Sequence, residues 1–233
     1  FKKVYFMRKS IIFILLLFIR LYLSHSQTLE LDFLMKKEAK INAYYNQTVN
    51  SKDRGLKLRV LENILEDYEK ENFSIKDKKI LEIAEKLAME GVFDKEYENN
   101  RLVNNYPEVR VEAVKLLTKL GGDNQRDLIL NIFINDDDLE VKAEACESFI
   151  TFGENSNGDV VRTVIFVYRK YLPRYPKLIF AMIRAMREFV DPSSPTFDEA
   201  IYLLTEISTG SFSNTIKNKA KEAINHIVNK PIK

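Results

Sequence analysis

The chain repeats a short apolar pattern along its length. Val109-Arg110-x-x-Ala113, followed by Leu117, Leu120 and Gly121, returns 32 residues later as Val141-Lys142-x-x-Ala145 with Phe149, Phe152 and Gly153. The same spacing comes back at Leu178, Met182, Met186 and Phe189, and again at Ile216, Ala220, Ile224 and Ile227. Steps of four, four and three residues keep these side chains on one face of an α-helix. A unit this short cannot bury that face alone, so a chain of such units must stack them.

A second amphipathic segment precedes each of these helices. Residues 125–134 carry Leu128, Ile129, Ile132 and Phe133; residues 160–171 carry Val161, Val164, Ile165 and Tyr168; residues 197–207 carry Ile201, Leu204 and Ile207. The unit is therefore a helical hairpin. Upstream, 54–68 (Leu56, Val60, Leu61, Ile64, Leu65) and 75–90 (Ile80, Ile83, Ala84, Leu87) continue the pattern, and a weaker helix is expected over 31–44. Asp137 or Asp138, Asp198 and Ser213 are placed to cap helix starts, and Gly121 and Gly153 to end helices in a left-handed conformation. With only 7 Gly and 6 Pro in 233 residues, few or no strands are expected. The predicted fold is all-α: an α-solenoid, or alpha-alpha superhelix, of about five hairpins.

The stretches Tyr106-Pro-Glu-Val-Arg-Val-Glu-Ala113 and Asn135-Asp-Asp-Asp-Leu-Glu-Val-Lys-Ala-Glu-Ala145 resemble the second-helix signature of HEAT-like repeats, of the kind found in phycobilin-lyase-type and bacterial HEAT-repeat proteins. The resemblance covers residues 75–228 and is specific in the two central repeats. The later hairpins depart from it: Ile179 and Lys217 follow the leading apolar position, Met182 replaces the small Ala, and no Gly closes either helix. Successive offsets of 32, 37 and 38 residues fit HEAT-like irregularity better than the near-constant period of about 34 in tetratricopeptide repeats. The resemblance implies a binding or scaffolding solenoid, with an enzyme accessory subunit of lyase-like type as the alternative.

The first 26 residues have another character. Met7-Arg8-Lys9-Ser10 opens a cationic stretch, Ile11 to Ile19 run without a polar side chain, and Ser24-His25-Ser26 gives a small-x-small pattern. Nine apolar residues suit a secretory signal, whereas a bilayer span needs about 20. The expected organisation is a signal peptide over 1–26, an N-terminal segment over 27–52 and a repeat domain over 53–230. Export to a periplasmic or extracellular compartment follows, with a signal-anchored protein held through 11–23 as the alternative. Setting aside the five cations of the first 26 residues leaves 31 basic against 34 acidic residues, a balance of −3. A nucleic-acid partner is disfavoured, because phosphate binding needs a basic footprint. Membrane contact is expected only through an uncleaved N-terminal segment.

Catalytic signals are sparse. The repeat region holds one histidine, His226, expected on a helix surface, and one cysteine, Cys146, which occupies the position of Val114 and Ile183 in other repeats and is expected to be buried. Asp136-Asp137-Asp138 lacks the alternating ligands and turn glycine of a calcium loop and reads as a cap and turn. No cofactor or metal site and no enzymatic activity are predicted. The longest connection, residues 91–106, parts two helices of one hairpin, and loops of this length tend to be functional or disordered. An ordered connector with a short extra helix and a recognition loop are both open. Interface energy concentrates in Tyr and Arg anchors where Trp is absent. The candidate partner-binding residues are therefore Tyr97, Arg101 and Tyr106 in the loop, with Arg110 and Lys142 on the helices beyond it. Arg110 and Lys142 hold equivalent positions next to capping carboxylates, which favours a structural ladder of charge-assisted hydrogen bonds between repeats, with the binding face as the other reading.

Overall fold

A computed structural model describes residues 31–231, apart from 69, 71, 72, 74, 75 and 155–157. The elements are α1 (31–48), α2 (Arg54–Asp67), α3 (Lys78–Met89), β1 (Tyr97–Glu98), β2 (Arg101–Leu102), α4 (Pro107–Leu120), α5 (Asp123–Asn135), α6 (Leu139–Phe152), α7 (Asp159–Tyr171), α8 (Pro176–Phe189), α9 (Phe197–Thr209) and α10 (Asn214–Val228). The chain divides into two compact units at Tyr44–Tyr45, the first holding most of α1 and the second every later element. The expected signal peptide over 1–26 lies outside the described residues, as does the anchor alternative over 11–23. No helix among the described residues is long and apolar enough to cross a membrane.

The second unit is an all-α solenoid in two layers. Helices α2, α4, α6, α8 and α10 pack side by side in chain order, and α3, α5, α7 and α9 form the other layer, each packed on the helix that follows it. The repeated apolar positions supply the contact between layers. Val109, Ala113 and Leu117, Val141, Ala145 and Phe149, Leu178, Met182 and Met186, and Ile216, Ala220 and Ile227 are all buried. Ala113 and Ala145 are fully buried. Phe133 of α5 meets Phe149 of α6 edge to face, with ring centroids 5.6 Å apart. Cys146 is buried as expected, and burial pushes its thiol well above the ordinary range.

Local chemistry sets the helix ends. Asp138 accepts from the backbone N–H groups of Glu140 and Val141 to start α6, and Ser213 accepts from Ile216 to start α10. Asp198 does not cap α9: it lies in the first turn, and the buried Thr196 takes the N-cap position without a side-chain bond. Glu154 caps α7 from outside the helix, its two carboxylate oxygens accepting from Val160 and Val161. Gly121 and Gly153 end α4 and α6 with φ of 74° and 83°, as the sequence required of glycine, but with ψ near 180° rather than in the left-handed helical well. The 91–106 connection contains no extra helix. It folds into an antiparallel β-hairpin, Tyr97 paired with Leu102 and Glu98 with Arg101. Asn99 and Asn100 turn it with φ of 48° and 63°, the positive values that a two-residue hairpin turn demands.

Candidate functional site

The hairpin stands on buried polar groups. At its entry Gly91 has φ +76°, and a Cβ there would lie 2.8 Å from Asn105 Cα and 2.9 Å from Asn104 O, so the two ends of the loop touch only because the residue is glycine. Buried Asn104 ties them further. Its Oδ1 accepts from Glu96 N at 3.0 Å, and its Nδ2 donates to Asp94 O at 2.7 Å. Val103 N donates to Glu96 O at 2.9 Å. On the outer side Lys52 pairs with Glu98 at 2.6 Å, which holds the Glu98 carboxyl below its ordinary range.

Two charged pairs lie beneath. Lys57 Nζ of α2 donates to both carboxylate oxygens of Glu90 at 2.7 Å, with both side chains buried. Burial nevertheless raises the Glu90 carboxyl above its ordinary range, outweighing the hydrogen bond from Lys57. The pair therefore fixes geometry more than it adds stability. The Tyr106 ring covers Lys57 at 5.6 Å, and Tyr106 Oη donates to Lys52 O at 3.3 Å. Arg110 of α4 is the second centre. Its Nε and Nη2 grip Asp136 bidentately at 2.6 and 3.0 Å, while Nη1 donates to Glu90 O at 3.2 Å and Asn105 Oδ1 at 2.8 Å. One side chain thus joins α3, the hairpin loop, α4 and the α5–α6 turn.

The structure divides the predicted site residues. Tyr97 is 62% exposed and Arg101 is exposed, and both are displayed on the hairpin; Tyr106 is half-buried at its base. Arg110 and Lys142 do not project outward as the binding-face reading required, being 2% and 0% exposed. Their equivalence is that of interior ties between layers. Lys142 Nζ donates to Phe133 O at 2.6 Å and Ile134 O at 3.1 Å, closing the C-terminus of α5, and lies 4.2 Å from the centre of the Tyr171 ring. It has no carboxylate in contact, and burial lowers its pKa to about 8. Of the charged residues expected on the outward side of α4 and α6, Glu112, Lys115, Glu144 and Glu147 are all half-exposed. Glu112 and Lys115 pair with each other within α4 at 2.6 Å, while Glu147 meets Arg184 at 2.7 Å and Glu144 meets Lys177 at 3.7 Å across repeats.

Lys57, Glu90, Asn104 and Asp136 were absent from the sequence-derived set. Lys57 left a trace: it falls in the buried stripe of Val60, Leu61 and Ile64 at helical spacing, where a lone cation needs a partner. Asn104 stood among the hydrogen-bonding side chains of the 91–106 loop, but its task of tying the loop ends rests on backbone partners, and Glu90 left no trace because Lys57 is distant in sequence. A cavity of about 290 Å³ opens beside Arg110, lined by Gly91, Lys95, Leu102, Asn105 and the Asp136, Asp137 and Asp138 turn. Among the described residues no cluster of His, Cys, Asp and Glu is placed to hold a metal ion.

These features define the class: an all-α solenoid carrying one β-hairpin on a buried polar base. No family model, curated protein or solved structure matches the chain.

Proposed function

We propose that this protein is a protein-binding or scaffolding solenoid of the HEAT-like type, acting in an extracytoplasmic compartment and engaging its partner through the 97–102 hairpin. The observation that carries the reading is a rigid hairpin whose exposed Tyr97 and Arg101 are held up by Asn104, Gly91 and Arg110. Preorganised Tyr and Arg side chains are the usual energetic anchors of interfaces, because little entropy is lost when they are covered. The mixed charge around them, with Lys52, Lys95, Glu96 and Glu98, suits a polar protein surface.

The test is a crosslinking pull-down with wild type and a Tyr97→Ala/Arg101→Ala variant whose melting matches wild type. Loss of the recovered partners is expected. Recovery of the same partners in the same yield would reduce the hairpin to a connector and move the search to α8, where Arg184, Arg187 and Glu188 are exposed.

A further inference from the structure

Helix α7 combines an exposed apolar side chain with a row of cations. Its outer face carries Arg162, Phe166, Arg169 and Lys170, which share one side at i, i+4, i+7 and i+8. The Phe166 ring in the middle of that face is 51% exposed. At the end of the helix Leu172 is 59% exposed and held in the left-handed region at φ 43°, ψ 54°, its N–H bonded to Tyr168 O at 2.8 Å. A γ-branched apolar residue in that conformation is costly on two counts, exposure and backbone strain, and such outliers point to function. Tyr202 of α9, 66% exposed, extends the apolar surface, with Arg169 stacked over its ring at 5.3 Å.

Along α7 and the turn after it the charge is mostly of one sign, while on α9 the exposed Asp198 and Glu199 lie one turn before Tyr202 and Glu206 one turn after it. Residues 159–177 hold five basic side chains against one acidic. Arg169 is matched by Glu206 at 2.5 Å and Lys177 by Glu140. Arg162, Lys170 and Arg174 make no ion pair among the described residues. Instead Lys170 lies over the Phe166 ring at 5.9 Å and Arg174 over the Phe212 ring at 4.9 Å. Exposed Phe and Leu flanked by unpaired Lys and Arg are the makeup of a helix that lies in a lipid interface, where the apolar side chains enter the headgroup boundary and the cations meet lipid phosphates. A nucleic acid would also meet the cations, but the exposed Leu172 has no ring to stack on a base, whereas in a lipid interface its side chain enters the headgroup boundary.

We infer that the α7–α9 face is a docking surface for anionic bilayers, with Phe166, Leu172 and Tyr202 seated among the headgroups and Arg162, Lys170 and Arg174 on the phosphates. The contact is separate from any made by the N-terminal segment and does not depend on the hairpin.

The chain has no tryptophan, so a single introduced indole reports on this face alone. Phe166→Trp and Tyr202→Trp are made separately in the full chain and checked for helix content. Each is titrated with vesicles of phosphatidylcholine containing about one third phosphatidylglycerol, with pure phosphatidylcholine, and with a single-stranded oligonucleotide. A blue shift on the anionic vesicles alone is expected, lost at high salt. Adding Arg162→Gln and Lys170→Gln should raise the lipid needed for half the shift roughly 25-fold, at about fivefold per cation. If the protein floats with anionic vesicles while neither indole shifts, the contact lies elsewhere and the inference fails. An equal shift on pure phosphatidylcholine, or a response to the oligonucleotide and not to lipid, overturns it as well.

Discussion

Arg110 gives the sharpest test of how the hairpin is held. Arg110→Met removes four hydrogen bonds and leaves the Asp136 carboxylate fully buried, with Asp138 N as its remaining donor at 2.9 Å. Breaking one side of a buried ion pair costs about 3–5 kcal/mol. At a urea dependence of about 2 kcal/mol per molar, the unfolding midpoint falls by roughly 2 M. Asp136→Asn keeps an acceptor for Asp138 N but strips the charge from under the guanidinium, and costs roughly 3 kcal/mol alone. The double variant buries no charge at this point, so it recovers part of both losses, with a coupling of about 2–3 kcal/mol in a double-mutant cycle. Arg110 also binds Glu90 O and Asn105, so hydrogen exchange at Val103 N and Glu96 N should accelerate in Arg110→Met before global unfolding does. Two single variants that each cost under about 1 kcal/mol and add without coupling would refute the view that this pair ties the hairpin to the layers.

Lys142 makes stability depend on pH. Its folded pKa of about 8 lies below 10.5, so between those values the unfolded chain binds more protons, and the cost of burying the Lys142 charge, about 3 kcal/mol below pH 8, is relieved as pH rises. Cys146, raised by burial, acts in the opposite sense at alkaline pH. The measurement is therefore the difference between wild type and Lys142→Met in urea unfolding: wild type should gain on the variant from about pH 7 to about pH 10, and a flat difference would refute the assignment. Ala113→Leu and Ala145→Leu should each destabilise by roughly 1–3 kcal/mol through overpacking, read as a lower melting temperature. Gly91→Ala should cost more than about 1 kcal/mol, because positive φ and a 2.8 Å approach to Asn105 Cα combine; an unchanged midpoint would show that the loop ends can separate freely.

The layers were legible because helical periodicity is a property of local sequence: positions 109, 113 and 117 lie on one face whatever surrounds them. The direction of Arg110 and Lys142 was not. A long cation beside a buried Val can snorkel outward or turn inward, and the choice rests on Asp136 and on the carbonyls of Phe133 and Ile134, which only the fold brings near. The hairpin was hidden for another reason. Two-residue strands are too short to show alternation, and the sole local trace was Asn99-Asn100, a pair that tolerates positive φ. The patch on α7 was obscured by its neighbours: Val161, Val164, Ile165 and Tyr168 made the helix read as an ordinary amphipathic one, and Phe166 lay outside that apolar set.

The ties among α5, α6, α7, α8 and α9 share a span. Glu140 to Lys177, Glu147 to Arg184, Arg169 to Glu206, and Tyr171 Oη to Ile134 O each join residues 37 apart. A cross-link of constant span makes the chain a spring with a defined step. Pulled from its ends, it should lengthen by release of one hairpin at a time, each freeing about 120 Å of extended chain while the neighbours stay folded.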